Sequence, residues 1–252
     1  MNATIDGRLS KVPEVTLLFW IIKIAATTFG ETAGDAVSMS VNLGYLVGTL
    51  IFAVIFVGTV IAQIAAKEFR PFLYWATIIA STTVGTTLAD FADRSLGIGY
   101  AGGTTLLVML LMMSLFAWYR TLGSISIDTV SSPRSEIFYW VTIMFSQTLG
   151  TALGDWTADT AGLGYVGAAV VFSALLALVV AAYWRTNLSR TLLFWTAFVL
   201  TRPLGAVVGD FLDMPLSAGG LALSRYSASA VLLAFIVACI VIFPQRAARN
   251  AH

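Results

Sequence analysis

Four nine-residue stretches decide the fold: Thr27–Asp35 reads TTFGETAGD, Thr82–Asp90 reads TTVGTTLAD, Gln147–Asp155 reads QTLGTALGD and Arg202–Asp210 reads RPLGAVVGD. Gly30, Gly85, Gly150 and Gly205 hold the fourth place of each and are spaced by 55, 65 and 55 residues. Asp35, Asp90, Asp155 and Asp210 hold the ninth place at the same spacings, and Trp20, Trp75, Trp140 and Trp195 repeat them again. Self-similarity of this kind marks an internal repeat, whose copies bury their apolar faces against one another.

The repeat sits in an apolar chain. Hydrophobic residues make up 58% and charged residues 11% of the 252, against roughly 45–50% and 25% in a soluble domain. Mean hydropathy is +0.88, so too little polar surface remains for a water-soluble particle. Apolar segments at 15–35, 41–65, 71–91, 98–119, 136–155, 163–184, 190–211 and 221–243 each suit a crossing of about 30 Å of hydrocarbon. The reading is an all-α polytopic membrane protein of eight transmembrane helices, built from four two-helix repeats. Copies 120 residues apart match best, since Asp90-x-x-Asp93 recurs as Asp210-x-x-Asp213. That divides the chain into a first half at 1–122, with repeats at about 14–66 and 69–119, and a second at 134–244, with repeats at about 134–184 and 189–243. The joint lies at 120–135, with Gly123, Ser131, Ser132 and Pro133, the longest connection. Every hairpin enters from the same side, so the halves are parallel repeats about an axis along the membrane normal.

Basic residues set the orientation. Arg8, Lys11, Lys67, Arg70, Arg120, Arg134, Arg185, Arg190, Arg246 and Arg249 fall on one side, which is ten of 14. The opposite side has only Arg94 and Arg225. The positive-inside rule makes both termini cytoplasmic, with Trp118 and Trp184 at the inner interface. The first span holds Lys23, Glu31 and Asp35 and precedes no small-residue cleavage site, so it is not a cleaved signal.

Much chemistry is excluded. Cys239 is the one cysteine and His252 the one histidine, the last residue; disulfide frameworks, thiolate or histidine metal sites and histidine-dependent triads all fail. The glycine-rich span starts, such as Gly99-x-x-x-Gly103, are no phosphate cradles, because no strand precedes them and no P-loop lysine follows. No organic cofactor and no nucleic-acid partner is implied. Met109, Met112 and Met113 read as core or lipid-facing filling.

What remains is acidic. Eight of the 13 acidic residues lie at or near the ends of the motif helices: Glu31, Asp35, Asp90, Asp93, Asp155, Asp159, Asp210 and Asp213. The 15 residues from Trp20 to Asp35 rise roughly 22 Å, which puts the four matched aspartates near the outer hydrocarbon boundary. A carboxylate at a helix C-terminus faces the negative end of the macrodipole, and several together near a membrane need a proton, a basic side chain or a bound cation. An all-oxygen set suits a hard divalent metal, with Mn2+ ahead of Ca2+ and Mg2+. Thr28, Thr32, Thr83, Thr87, Thr148 and Thr151 are secondary ligand candidates. Gly30, Gly34, Gly85, Gly150, Gly154, Gly205 and Gly209 supply small-x-x-x-small faces for close helix approach. Lys23 and Arg202 break the repeat inside spans 1 and 7. Each reads either as structural pairing to a carboxylate such as Glu31 or as a built-in counter-ion or proton-coupling element. Pro203 should kink span 7.

The repeated Gly30/Asp35, Gly85/Asp90, Gly150/Asp155 and Gly205/Asp210 hairpins resemble a family of bacterial multi-spanning proteins described as membrane-anchored. Some of its members carry a label linking them to regulation of amylopullulanase. The second copy departs at Ala89, which stands in place of the motif glycine. The resemblance implies the bacterial inner (plasma) membrane and brings no chemistry with it.

The leading functional reading is transport of a hard divalent cation through a central acidic site, with the lipid bilayer, a metal ion and possible protons as partners. A non-transporting membrane regulator or scaffold is the alternative. A membrane enzyme is a weaker third, for want of a nucleophile or oxyanion donor. Direction, coupling and any homo-oligomer stay open.

Overall fold

The computed structural model describes residues 10–248; Arg8, Arg249 and His252 lie outside them. Among the described residues the fold is all-helical and strand-free, with eight long helices: α1 (Leu17–Asp35), α2 (Gly44–Ala65), α3 (Pro71–Asp90), α4 (Tyr100–Leu122), α5 (Pro133–Asp155), α6 (Gly164–Arg185), α7 (Arg190–Asp213) and α8 (Arg225–Ile242). Local chemistry sets their starts. Thr16 caps α1 by accepting from the Phe19 amide. Ser132 and Ser135 cap α5 reciprocally, with Pro133 in its first turn as Pro71 is in α3, where a missing N–H costs nothing. Gly123 ends α4 in the left-handed conformation at φ +76°. Helix α7 runs unbroken through Pro203.

Six of the eight, α2, α3, α4, α6, α7 and α8, are long and apolar enough to cross a membrane. Polar side chains lower the hydropathy of the other two, yet these point inward: Lys23, Thr27, Thr28 and Glu31 of α1, and Glu136, Thr142, Gln147 and Thr148 of α5, are all buried. The even helices instead expose apolar side chains along their length, among them Val54, Met109, Met112, Met113, Leu178 and Val231. That surface is wide enough to need a lipid or protein cover.

The odd helices close a ring in the order α1–α3–α5–α7–α1, and each even helix packs against the odd helix of the next copy: α2 on α3, α4 on α5, α6 on α7, α8 on α1. The repeat is thus not a self-packed hairpin, and the last copy closes onto the first. Small residues explain the close ring. A side chain on Gly30 would meet Thr82, on Gly85 Gln147, on Gly150 Arg202, and on Gly205 Thr27. Each motif glycine therefore receives the first motif residue of the next helix round the ring. Gly34, Gly154 and Gly209 repeat the pattern one turn on, against Thr86, Ala206 and Glu31. This is the small-residue packing that brings membrane helices together where hydrophobicity cannot.

After Asp35, Asp90 and Asp155 the helix widens into a five-residue π turn, Ala36–Ser40, Phe91–Ser95 and Trp156–Thr160. The amides of Val41, Leu96 and Ala161 bond back five residues in the same way. Such insertions gather at functional sites. The fourth copy differs: α7 continues to Asp213, and Pro215 follows.

Candidate cation site

The ring axis is filled from one end and charged at the other. At the tryptophan end, Phe19, Tyr74, Tyr139 and Phe194 occupy one repeat position and Trp20, Trp75, Trp140 and Trp195 the next. Their rings pack edge-on or tilted at centroid separations of 5.0–6.1 Å, the arrangement the aromatic quadrupole favours. The Tyr74 and Tyr139 hydroxyls bond at 2.7 Å. One turn further in, Lys23, Ile78, Ile143 and Phe198 share a repeat position and are wholly enclosed. The Lys23 ammonium lies 4.2 Å from the Phe198 ring centre and has no hydrogen-bond partner among the described residues. A cation–π contact is its one compensation there. It does not pair with Glu31.

Arg202 does. Its Nη1 and Nη2 donate to Glu31 Oε2 at 3.0 and 2.9 Å, and Nη2 also donates to Thr86 Oγ1 at 2.6 Å and to Thr151 Oγ1. Glu31, Thr86 and Thr151 are the residues that follow the motif glycine in copies 1, 2 and 3. The fourth copy has Ala206 there and sends Arg202 up from one turn below. Arg202 and Glu31 are both fully enclosed, so the hydrogen bonds compensate charges that would each cost several kcal/mol alone, order of magnitude.

Beyond this layer the acids converge. Glu31, Asp35 and Asp90 bring carboxylate oxygens within 4.8 Å of one another, and so do Asp35, Asp210 and Asp213. All five are buried, and Asp35 belongs to both groups. Either triad could coordinate a metal ion. Two arginines stand among them. Arg94 Nε lies 2.9 Å from Asp90 Oδ1 and its Nη2 3.7 Å from Asp155. Arg225 Nε donates to Asp213 Oδ2 at 3.1 Å, with Nη2 3.7 Å from Asp35. Six carboxylates thus face three guanidinium groups, a formal excess of three negative charges at full ionisation. Asp35 Oδ2, Asp90 Oδ1 and Asp213 Oδ1 are enclosed and accept no hydrogen bond.

The structure gathers Glu31, Asp35, Asp90, Asp210 and Asp213, with Asp155 joined through Arg94. It places two other acids apart. Asp159 is exposed in its π turn, and Asp93 turns toward Gly103 of α4. Of the candidate threonines, only Thr151 reaches the central layer. Thr28, Thr83, Thr87 and Thr148 bond back to carbonyls of their own helices, a common resting arrangement for helical threonine. Thr32 meets Ser229 of α8 at 2.8 Å. Three residues of the site escape a reading of the acids alone. Thr86 shares its repeat position with Glu31 and Thr151. Arg94 and Arg225 are the two basic residues that stand apart from the ten on the other side.

Four stretches, 18–69, 73–124, 138–189 and 193–244, match a family described as Repeat of Unknown Function (DUF347). They begin 55, 65 and 55 residues apart, the spacing of the motif glycines. No curated protein and no solved structure matches the chain. With four copies over most of its length, the chain belongs to the DUF347 repeat family.

Proposed function

We propose that the chain transports a hard divalent cation across a membrane, entering at the aspartate end. The observation that carries this reading is the double position of Glu31: it is paired with Arg202 and stands within ligand distance of Asp35 and Asp90. An arriving ion competes with Arg202 for Glu31. When the ion leaves, Arg202 restores the charge balance, as a tethered counter-ion should. All eight helices span the bilayer in this reading, α1 and α5 included, because their polar residues are enclosed by the ring. The two halves at 1–122 and 134–244 form one membrane domain. The excess of basic residues at the tryptophan end puts that end and both termini in the cytoplasm, and the resemblance noted above supports the bacterial inner membrane.

Mn2+ is the favoured cargo. Mg2+ sheds water reluctantly and Ca2+ asks for about six to eight oxygens, whereas three carboxylates leave room for a partly dehydrated ion of intermediate demand. Uptake of Mn2+ into vesicles containing the purified chain tests the reading. Saturable uptake that falls at least about tenfold in Asp35→Asn, and that competes with Ca2+ or Mg2+ weakly, is the expected result. Uptake equal to that of empty vesicles overturns it.

The packed tryptophan end favours one rival, a non-transporting membrane regulator, which fits the label that links similar proteins to amylopullulanase regulation. That rival requires Asp35→Asn to alter association with a partner while cellular metal content stays unchanged.

A further inference from the structure

The two acidic triads share one residue, and each has its own exchangeable cation. Glu31, Asp35 and Asp90 form one group, and Asp35, Asp210 and Asp213 the other. Arg94 serves the first through Asp90, and Arg225 serves the second through Asp213 and Asp35. Unlike Arg202, which is sealed in the ring, the Arg94 side chain is 33% exposed and that of Arg225 19%. Both therefore have water to swing into. Three orphaned oxygens belong to residues of these groups. The Asp90 residue of the first group leaves Oδ1, the Asp213 residue of the second leaves Oδ1 and the shared Asp35 leaves Oδ2 enclosed and without a hydrogen bond among the described residues. Buried carboxylate oxygens left in this condition are costly, and Arg94 Nε sits 2.9 Å from Asp90 Oδ1 without hydrogen-bond geometry.

We propose that the aspartate end binds two divalent cations side by side, bridged by the Asp35 carboxylate, each taking the place of one arginine, Arg94 or Arg225. This rests on the cation reading above and adds the count, the bridge and the exchange. Replacing a guanidinium with a divalent ion adds one positive charge, so two exchanges reduce the formal excess of three negative charges to one. A carboxylate shared by two ions about 3.5–4 Å apart is the usual construction of a two-metal site. Asp210 completes the second position and Glu31 the first. Occupation of the first position is also what draws Glu31 from Arg202.

The test is titration of the purified full chain in detergent with Mn2+ alone, counting bound metal by equilibrium dialysis and recording low-temperature electron paramagnetic resonance. Two Mn2+ per chain are expected, with an exchange-coupled spectrum whose hyperfine spacing is half that of an isolated ion. Asp213→Asn should retain one Mn2+ with an ordinary six-line spectrum. Arg225→Ala, which removes a competitor and no ligand, should keep both ions and bind the second about tenfold more tightly. One ion per chain in the unaltered protein overturns the count. Two ions without coupling overturn the Asp35 bridge, and unchanged affinity in Arg225→Ala overturns the exchange. No saturable Mn2+ binding at all overturns the cation reading itself, a separate failure.

Discussion

The two ends of the ring are made from the same four copies and are opposite in character. At the tryptophan end, eight aromatic residues at matched positions close the axis, and Tyr74 pairs with Tyr139, Trp75 with Gln245 and Trp195 with the Ile125 carbonyl, while the enclosed Trp140 Nε1 has no partner among the described residues. At the aspartate end, six carboxylates meet three arginines, and three of their enclosed oxygens accept no hydrogen bond among the described residues. One end is closed by aromatic packing, and the other is left short of positive charge. Packing alone explains the first. The second is intelligible as a place kept for cations, because an acidic cluster with no ligand would be a steady cost to the fold.

The sharpest way to break the comparison is at the seam between the ends. Arg202→Met strands the Glu31 carboxylate in the ring and should lower stability by about 3–5 kcal/mol, read as thermal unfolding in detergent. Removing both charges, Glu31→Gln with Arg202→Met, should recover most of that loss. If the double variant is no better than the single, the pair is not what Arg202 contributes.

Next in size is the ring contact itself. Gly205→Ala forces a methyl against Thr27 and should cost about 1–3 kcal/mol by overpacking. Gly58→Ala on α2, where a methyl meets nothing within 4 Å, should be neutral or stabilising by up to about 1 kcal/mol. Equal effects at the two positions would contradict the close ring.

The smallest effect belongs to the filled end. Tyr74→Phe removes the 2.7 Å bond to Tyr139 and should cost about 1–2 kcal/mol, since the partner hydroxyl stays buried. Mn2+ affinity should not change. A change in affinity there would show that the two ends are not separable.

The site was partly legible in the sequence, for physical reasons. A glycine and an aspartate recurring at fixed spacing reveal that four helices share a face, and the motif glycines do all sit against a neighbour. Helix ends were readable to within a few residues, the largest difference falling at the start of α8. Which helix is the neighbour was not legible. Hydropathy shows that α2 has an apolar face but cannot say that it lies on α3 rather than α1. The same limit hid the choice between Lys23 and Arg202 as the partner of Glu31, because that choice depends on ring order: α7 adjoins α1, and Arg202 rises one turn to meet it. Arg94 and Arg225 were visible as exceptions to the basic bias; Arg94 follows Asp90 at the i,i+4 spacing of a same-helix pair, whereas nothing in the local sequence of Arg225 points to Asp35. Asp93 looked equivalent to Asp213 by spacing, and Asp159 one residue further on looked like another auxiliary acid, but the π turns after Asp90 and Asp155 rotate both away, while α7 continues as a plain helix to Asp213.

The account rests on the carboxylates at the aspartate end meeting a cation that is not one of the chain's own arginines. Calorimetric titration of Mn2+ into the purified chain, beside Asp35→Asn, tests this most directly, because Asp35 belongs to both triads. Saturable binding in the unaltered chain that weakens at least about tenfold in the variant is the expected result; binding of equal strength in both, or in neither, would contradict it.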